Sequence, residues 1–229
     1  MRIPWYKISK NTVSLRKHVL RVDLCIFIDN ETSFGDPAYL ESTVKSLLTA
    51  AIIKGLDVVG VLSEQNPKIG WLAYRMAIEQ NMDLKVIPGQ TYKCSTGETL
   101  YIYKLQEAVP VNLSIDKACD FAHKRNGYVI AANVTKRQVQ NLEKLQGSTY
   151  APDAIEIFND KIGGFKNIDI DYKMFISSGS TTANELEMSN SFTLVDRKEL
   201  EKMGMLVENE LIDYTPKYLM PDNQGGQNV

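Results

Sequence analysis

The sequence has few of the residues that most often build metal sites and covalent cross-links. Its 229 residues include only two histidines and three cysteines. Cys25, Cys94 and Cys119 form no CxxC pair and are too few for a disulfide framework. Two histidines leave little for a His-rich metal site. We therefore expect neither a disulfide-stapled protein nor a histidine-based metal centre, and we predict no cofactor.

Long apolar runs are also missing. No apolar stretch approaches the ~20 residues that cross a bilayer, and residues 1–19 lack the apolar segment of a signal peptide. We expect a cytoplasmic or otherwise intracellular protein that is not secreted and has no membrane partner. Hydrophobic residues make up 44% of the chain and charged residues 24%. This balance is typical of globular proteins and excludes disordered, coiled-coil and collagen-like chains.

Charge is unevenly distributed along the chain. Residues 1–22 contain six Lys or Arg and no Asp or Glu, while the remaining residues contain 20 basic and 28 acidic side chains. A basic arm on an acidic body indicates docking onto nucleic acid or an acidic protein surface, and a solvated terminus is the alternative. Aromatic and basic side chains near both ends are the docking candidates. They are Arg2, Trp5, Tyr6, Lys7, Arg16, Lys17, Tyr214, Tyr218 and Leu219.

The hydrophobic pattern predicts about seven strands separated by helices. The first predicted strand runs from Val19 to Ile28, and a helix follows with Asp36 as N-cap, Pro37 at its first position and Gly55 after its end. Further strands are predicted at 56–62, 84–87, 128–132, 154–158, 174–177 and 192–195, with a hairpin around Thr96-Gly97. Repeated βα units favour a parallel sheet or closed barrel, and an open doubly wound sheet is the alternative.

Several segments, in their order, resemble the PHP (polymerase and histidinol phosphatase) domain family. They are RVDLCIF, KGLDVVGV, DLKVIPG, NGYVIAAN, DAIEIFN and SSGS, within residues 20 to about 195. The resemblance implies a distorted (β/α)7 TIM-like barrel of the PHP type over residues 19–204, with a basic N-terminal arm at 1–18 and a C-terminal extension at 205–229. Family members typically bind up to three metal ions at the carboxyl ends of the strands, and many hydrolyse phosphoesters.

The family's ligand motifs correspond mostly to neutral residues here. Asp-Leu-His-x-His reads Asp23-Leu24-Cys25-Ile26-Phe27, and Thr-Asp-His reads Leu62-Ser63-Glu64. Gly-x-Glu reads Gly89-Gln90-Thr91, Ala-His-Pro reads Ala132-Asn133-Val134, and Gly-Ser-Asp-x-His reads Gly179-Ser180-Thr181-Thr182-Ala183. The degenerate former metal positions are Cys25, Phe27, Ser63, Glu64, Thr91, Asn133, Thr181 and Ala183. Glu64 is the only strong oxygen ligand among them, and one carboxylate cannot activate water as a multi-metal site does.

The sequence therefore predicts a catalytically inactive PHP-like barrel, a structural or protein-interaction subunit of a larger assembly. A virion or another multi-subunit complex would suit such a role. One alternative is a metal-dependent phosphoesterase with a rewired site that uses Glu64, Asp23 and Cys25. Another is an RNA-associated scaffold like the PHP-like subunit of ribonuclease P, with nucleic acid on the basic arm, although the acidic body disfavours broad RNA contact.

Four smaller features have two interpretations each. Cys25 is either a nucleophile or a small buried hydrophobe, and Asp23 is either half of a carboxylate pair or an anchor for backbone groups. Residues 177–182 form either a phosphate cradle or a capped turn. His123 matches no ligand position, and we expect a satisfied or exposed side chain.

Overall fold

The computed structural model describes residues 19–28, 37–64, 66–135, 138, 141–142, 144–145, 147–159, 163–164, 176–179, 193–202 and 204–205. These ranges contain nine strands and four helices. The strands are β1 (Val19–Ile28), β2 (Val58–Glu64), β3 (Lys85–Lys93), β4 (Thr99–Tyr103), β5 (Tyr128–Ala132), β6 (Ala154–Asn159), β7 (Gly163–Gly164), β8 (Ile176–Gly179) and β9 (Thr193–Asp196). The helices are α1 (Pro37–Ile53), α2 (Lys68–Glu79), α3 (Ile115–His123) and α4 (Arg197–Lys202).

The described strands form one mixed sheet in the order β7-β6-β5-β4-β3-β2-β1-β9, and β8 pairs with β6. Strands β1, β2, β3, β5, β6 and β8 share one direction, since β1–β2, β2–β3, β5–β6 and β6–β8 are parallel and β4 is antiparallel to both β3 and β5. Strand β9 is antiparallel to β1, and β7 is antiparallel to β6. The carboxyl ends of six strands therefore meet along one edge of the sheet.

The prediction of a distorted (β/α)7 TIM-like barrel is wrong. The sheet is mixed and curls into a half-barrel with few helices. A barrel of βα units needs a helix between successive parallel strands, whereas β3 passes directly into the antiparallel β4. Strand β8 approaches β1, but the described residues form no hydrogen-bonded ladder between these two strands.

Two apolar layers cover the faces of the sheet. The inner, concave face carries a cluster that includes Cys25, Tyr101 and Tyr103, with Leu200 of α4 and Met205 joining it. On the outer face, α1 and α2 pack over β1–β3, and α3 packs over β4 and β5. The fold therefore has a helix-covered outside and an apolar, tyrosine-rich inside.

Local sequence signals placed most element boundaries well. Strand β1 has the predicted bounds, α1 begins at Pro37 as predicted, and the predicted hairpin is the β3–β4 connection. Strand β3 is longer than predicted because it runs on into that hairpin. Among the described residues, no helix is long and apolar enough to span a membrane.

The inner face has a close contact that depends on two glycines. A Cβ atom at Gly60 would lie 2.5 Å from the Leu24 carbonyl oxygen and 2.9 Å from Cε1 of Tyr103. A Cβ atom at Gly89 would lie 2.7 Å from Cδ1 of Tyr103. The ring of Tyr103 thus lies over β2 and β3 where neither strand has a side chain, and its hydroxyl donates to the Leu24 carbonyl on β1.

We expect Gly60→Ala to reduce the free energy of unfolding by about 3 kcal/mol, because the new methyl group clashes with backbone atoms that cannot rotate away. Urea denaturation measures the change. Gly97→Ala is the matched control: no atom lies within 4 Å of a Cβ there, so only its φ of +99° disfavours alanine, at about 1 kcal/mol. An equal loss in the two variants would contradict the contact.

A histidine joins α3 to the segment that precedes β6. His123 Nδ1 lies 2.7 Å from the Thr149 carbonyl oxygen, and Nε2 lies 2.9 Å from Oδ2 of Asp153. Both neighbours are acceptors, so the imidazolium, which donates from both nitrogens, is favoured. The hydrogen bond that His123 donates to Asp153 is the largest cause that raises the pKa of His123 above its ordinary value. This confirms the expectation of a satisfied histidine.

The His123 contact gives a pH dependence of defined sign. Its folded-state pKa is raised, so the stabilisation is complete below the unfolded pKa of about 6.5 and is lost as the pH rises through the folded value. We expect His123→Gln to destabilise the protein by on the order of 1 kcal/mol at pH 5.5 and by less at pH 8.5, measured by urea denaturation. His18→Gln, at the other histidine, is the control. A wild-type advantage that grows with pH would contradict this assignment.

Candidate functional site

The positions that the family resemblance assigns to metal ligands, where the structure describes them, lie toward the carboxyl ends of the parallel strands. Cys25 and Phe27 lie on β1, Ser63 and Glu64 end β2, and Thr91 lies on β3. Ile28 pairs with Ser63, and Glu64 pairs with Thr91. Asn133 directly follows β5. We call this end of the half-barrel the mouth. Thr181 and Ala183 lie outside the described residues.

The two β1 positions pack into the inner cluster. Cys25 is 2% exposed and belongs to the cluster, and the half-buried Phe27 packs against it. Tyr101 shares a side-chain hydrogen bond with Cys25. At the two positions that the resemblance assigns to histidines, one side chain therefore bonds to a tyrosine and the other adds apolar contact area.

The other mouth positions offer weak or separated donors. Ser63 is buried and donates its hydroxyl to the Asn66 carbonyl. Glu64 and Asn133 are exposed, and Thr91 is half-buried. Within the part of the chain that the structure describes, no three His, Cys, Asp or Glu side chains are grouped so that they could hold a metal ion.

Two buried carboxylates lie deeper than the mouth. Asp23 is fully buried, and its Oδ1 accepts the backbone N–H of Cys25 at 3.0 Å. Glu156, on β6, is 3% exposed. Sequence reasoning predicted the backbone role of Asp23 as one of two alternatives, but it missed Glu156. The signal was available: Ala154 of the same strand faces the inner cluster, so Glu156, two residues on, faces the same way.

The buried tyrosines keep their protons. Burial raises the pKa of Tyr101 and of Tyr103 far above the ordinary value, and the neighbouring acidic groups Cys25 and Glu156 raise both further. A phenol in this state donates a hydrogen bond and cannot act as a general base at neutral pH. The floor below the mouth is therefore a packed layer of neutral hydroxyl groups and rings.

Asp23 and Glu64 do not form a carboxylate pair. Asp23 pairs with Val59 across the β1–β2 ladder, and Glu64 lies five residues farther along β2. At about 3.3 Å per residue, roughly 16 Å separates the two positions along the strand. One carboxylate is fully buried and the other is exposed. Joint acid–base catalysis by these two groups is therefore excluded by distance.

Several predicted residues fall wholly or partly outside the described part of the chain. For residues 177–182, the backbone of the first three lies in β8 and the rest are outside, so the phosphate cradle stays a prediction. All the docking candidates are outside as well: Arg2, Trp5, Tyr6, Lys7, Arg16, Lys17, Tyr214, Tyr218 and Leu219.

The fold is similar to solved structures at very low sequence identity. One is described as "a putative metal-dependent phosphoesterase" from Bifidobacterium adolescentis, with a TM-score of 0.57 and 9% identity over 80% of this chain and 94% of that chain. Another is PsfC from Pseudomonas syringae, with a TM-score of 0.49 and 13% identity over 77% and 82% of the two chains. No family model and no curated protein matches the chain. The first similarity shows that the two chains share a fold in coarse terms and carries no activity with it.

Because its cysteines are buried, we expect the folded protein to react slowly with thiol reagents. All three thiols are buried, and burial raises the pKa of Cys94 to about 12 and that of Cys119 further. Because the thiolate is the reactive form, we expect Ellman's reagent at pH 8 to label almost no thiol in the folded protein and all three in urea. A Cys94→Ser/Cys119→Ser double variant isolates Cys25. Fast labelling of that variant in the folded state would restore Cys25 as a candidate nucleophile.

Proposed function

We propose that the chain is a catalytically inactive PHP-like protein that acts as a structural or protein-interaction subunit of a larger assembly. The main observation behind the proposal is that buried or apolar side chains stand on β1 at positions where metal ligands would be expected. Cys25 is buried against Tyr101, and Phe27 packs beside it, at the two positions where the family resemblance calls for ligating histidines.

Ligand chemistry supports an inactive mouth. Zn²⁺ needs several thiolate, imidazole or carboxylate donors that converge, and Mg²⁺ needs carboxylates with substrate oxygens. Among the described mouth residues, Glu64 is the only carboxylate, and it is exposed. Asp23 and Glu156 are buried below the surface that a substrate would reach. These groups do not provide the convergent charge that lowers the pKa of a bound water.

The tyrosine floor closes the interior below the mouth. Tyr103 is fully buried, lies against the two inner glycines of β2 and β3, and donates its hydroxyl to the Leu24 carbonyl. Layers of side chains also fill the interiors of catalytic barrels, whose chemistry lies at the carboxyl ends of the strands. The floor therefore stabilises the fold, and the case for an inactive mouth rests on the residues at the strand ends.

The docking part of the proposal rests on the charge pattern. The basic arm at 1–18 carries the opposite charge to the acidic remainder of the chain. An arm with Trp5 and Tyr6 among lysines and arginines has the composition of an interaction hot spot. We infer that this arm and the extension at 205–229 contact the other subunits of the assembly.

A rewired metal-dependent phosphoesterase is the second candidate. The fold similarity to a protein described as a metal-dependent phosphoesterase favours it, and Glu64 offers one exposed carboxylate at the mouth. The candidate needs donors beyond the described residues, because Asp23 and Glu64 lie far apart.

Metal and activity assays decide between the two candidates. We expect protein purified without chelator to carry far less than one equivalent of Mn, Fe or Zn by elemental analysis. We also expect no hydrolysis of p-nitrophenyl phosphate or bis-p-nitrophenyl phosphate above the buffer rate when Mn²⁺ or Zn²⁺ is added. Metal-stimulated turnover that Glu64→Ala abolishes would overturn the proposal. Glu79→Ala, an exposed carboxylate on α2, is the control.

The second arm of this experiment tests the interaction role. The full chain and a variant lacking residues 1–18 are each isolated from their native host cells, and their co-purifying proteins are quantified. A stoichiometric partner that is lost from the truncated chain and from Trp5→Ala/Tyr6→Ala supports the proposal. An unchanged set of proteins in all three samples would count against the arm.

A further inference from the structure

A cavity of about 360 Å³ lies at the end of the half-barrel opposite the mouth. Its walls come from α2, from the start of β3, from the segment after β4, and from Met205. Pro88, the lining residue of β3 nearest the mouth, lies three residues before the mouth residue Thr91 on the same strand. That spacing is roughly 10 Å along the strand. None of the described mouth residues is in the cavity lining, so the cavity is separate from the mouth.

One wall of the cavity is aromatic and firmly held. Trp71 and Tyr74 line it, with ring centroids 5.5 Å apart and an interplanar angle of 79°. The indole Nε1 of Trp71 donates to the Leu105 carbonyl at 2.7 Å, which fixes the ring. Ile78, Met82 and Val86 extend the apolar lining. A preformed apolar surface of this size suits a small planar ligand.

The charged side chains among the described lining residues are two lysines and one aspartate. Lys85 and Lys104 are half-buried, whereas Asp83 is exposed to solvent. Charges that are partly shielded from water act more strongly on a bound group than an exposed charge does. An anionic group inside would meet two ammonium groups and one well-solvated carboxylate.

Lys104 is held in place by its backbone. It has a φ of +68°, which is uncommon for a residue other than glycine, and its N–H donates to the Pro88 carbonyl at 2.8 Å. Its Nζ donates to the Gly204 carbonyl at 2.7 Å, which uses one of three ammonium hydrogens. Burial lowers the pKa of Lys104 because the ammonium group loses contact with water. An anion beside it would replace part of that lost stabilisation.

We propose that this cavity binds a small aromatic carboxylate, with its ring against Trp71 and Tyr74 and its carboxylate at Lys104 and Lys85.

Other ligand classes fit this cavity less well. A divalent cation would find one exposed carboxylate and two ammonium groups, which repel it. Inorganic phosphate would leave the aromatic wall uncovered, and the described lining residues include no arginine to bind it bidentately. A neutral aromatic compound would leave the positive charges unused. An aromatic carboxylate matches both the wall and the charge.

Calorimetric titration of the full chain tests the proposal, with 2-naphthoate as the probe and 2-naphthamide as its neutral analogue. We expect one saturable site for 2-naphthoate, at least about tenfold tighter than for 2-naphthamide, because the ammonium groups attract a carboxylate more strongly than a neutral amide. Lys104→Gln should weaken the binding of 2-naphthoate by about tenfold or more, and Lys104→Arg should retain most of it.

Two further variants make the result specific to this cavity. Lys93→Gln removes a lysine from the mouth end of the same strand and should leave the affinity unchanged. Ile78→Trp places a bulky ring at the cavity from a 44% exposed helix position and should abolish binding while the circular dichroism spectrum stays that of the wild type. The proposal fails if 2-naphthoate does not saturate below about 5 mM, if 2-naphthamide binds equally well, or if Lys104→Gln or Ile78→Trp has no effect. The outcome is independent of whether the mouth is catalytic.

Discussion

The hydrogen bond from Tyr103 to the Leu24 carbonyl holds the curl of the sheet. These residues lie on β4 and β1, with two strands between them. Three strand spacings on a flat sheet are about 14 Å, which is farther than one tyrosine side chain extends. The contact forms because the sheet bends and because the ring passes over Gly60 and Gly89. The inner cluster, including Cys25 and Tyr101, packs around this ring.

The same contact explains why the mouth is occupied by packing. Once the ring of Tyr103 fills the floor, the side chains beside it gain most from being apolar or from bonding to one another. Cys25 does both, since it is buried in the cluster and bonded to Tyr101. Asp23 is tolerated at full burial because it accepts a backbone N–H. Glu156 is the second acidic group at the inner face, and its charge helps to keep both tyrosines protonated.

Sequence reasoning recovered the elements better than their arrangement. Strand β1, the start of α1 and the β3–β4 hairpin were predictable because their signals are local: an apolar run, a proline at a helix start, and a Thr-Gly turn. The position of β4 between β3 and β5 could not be predicted from local signals. Its second neighbour, β5, begins 25 residues after β4 ends. At the site, the family resemblance assigned the mouth positions, which stay a prediction, and it gave no indication of the partner of Cys25. Tyr101 is 76 residues away, and no local pattern joins the two.

The two ends of the half-barrel differ in how far their polar groups are already hydrogen-bonded within the protein. At and below the mouth, several buried groups bond to the protein itself: a serine bonds to a backbone carbonyl, a cysteine bonds to a tyrosine, and a phenol bonds to another strand. At the opposite end, an ammonium group has hydrogens to spare beside a rigid aromatic wall. A ligand gains affinity where polar groups are placed in advance and are not yet saturated. By that criterion the end that the family resemblance marks as active is the less receptive one, and the end without a family motif is the more receptive.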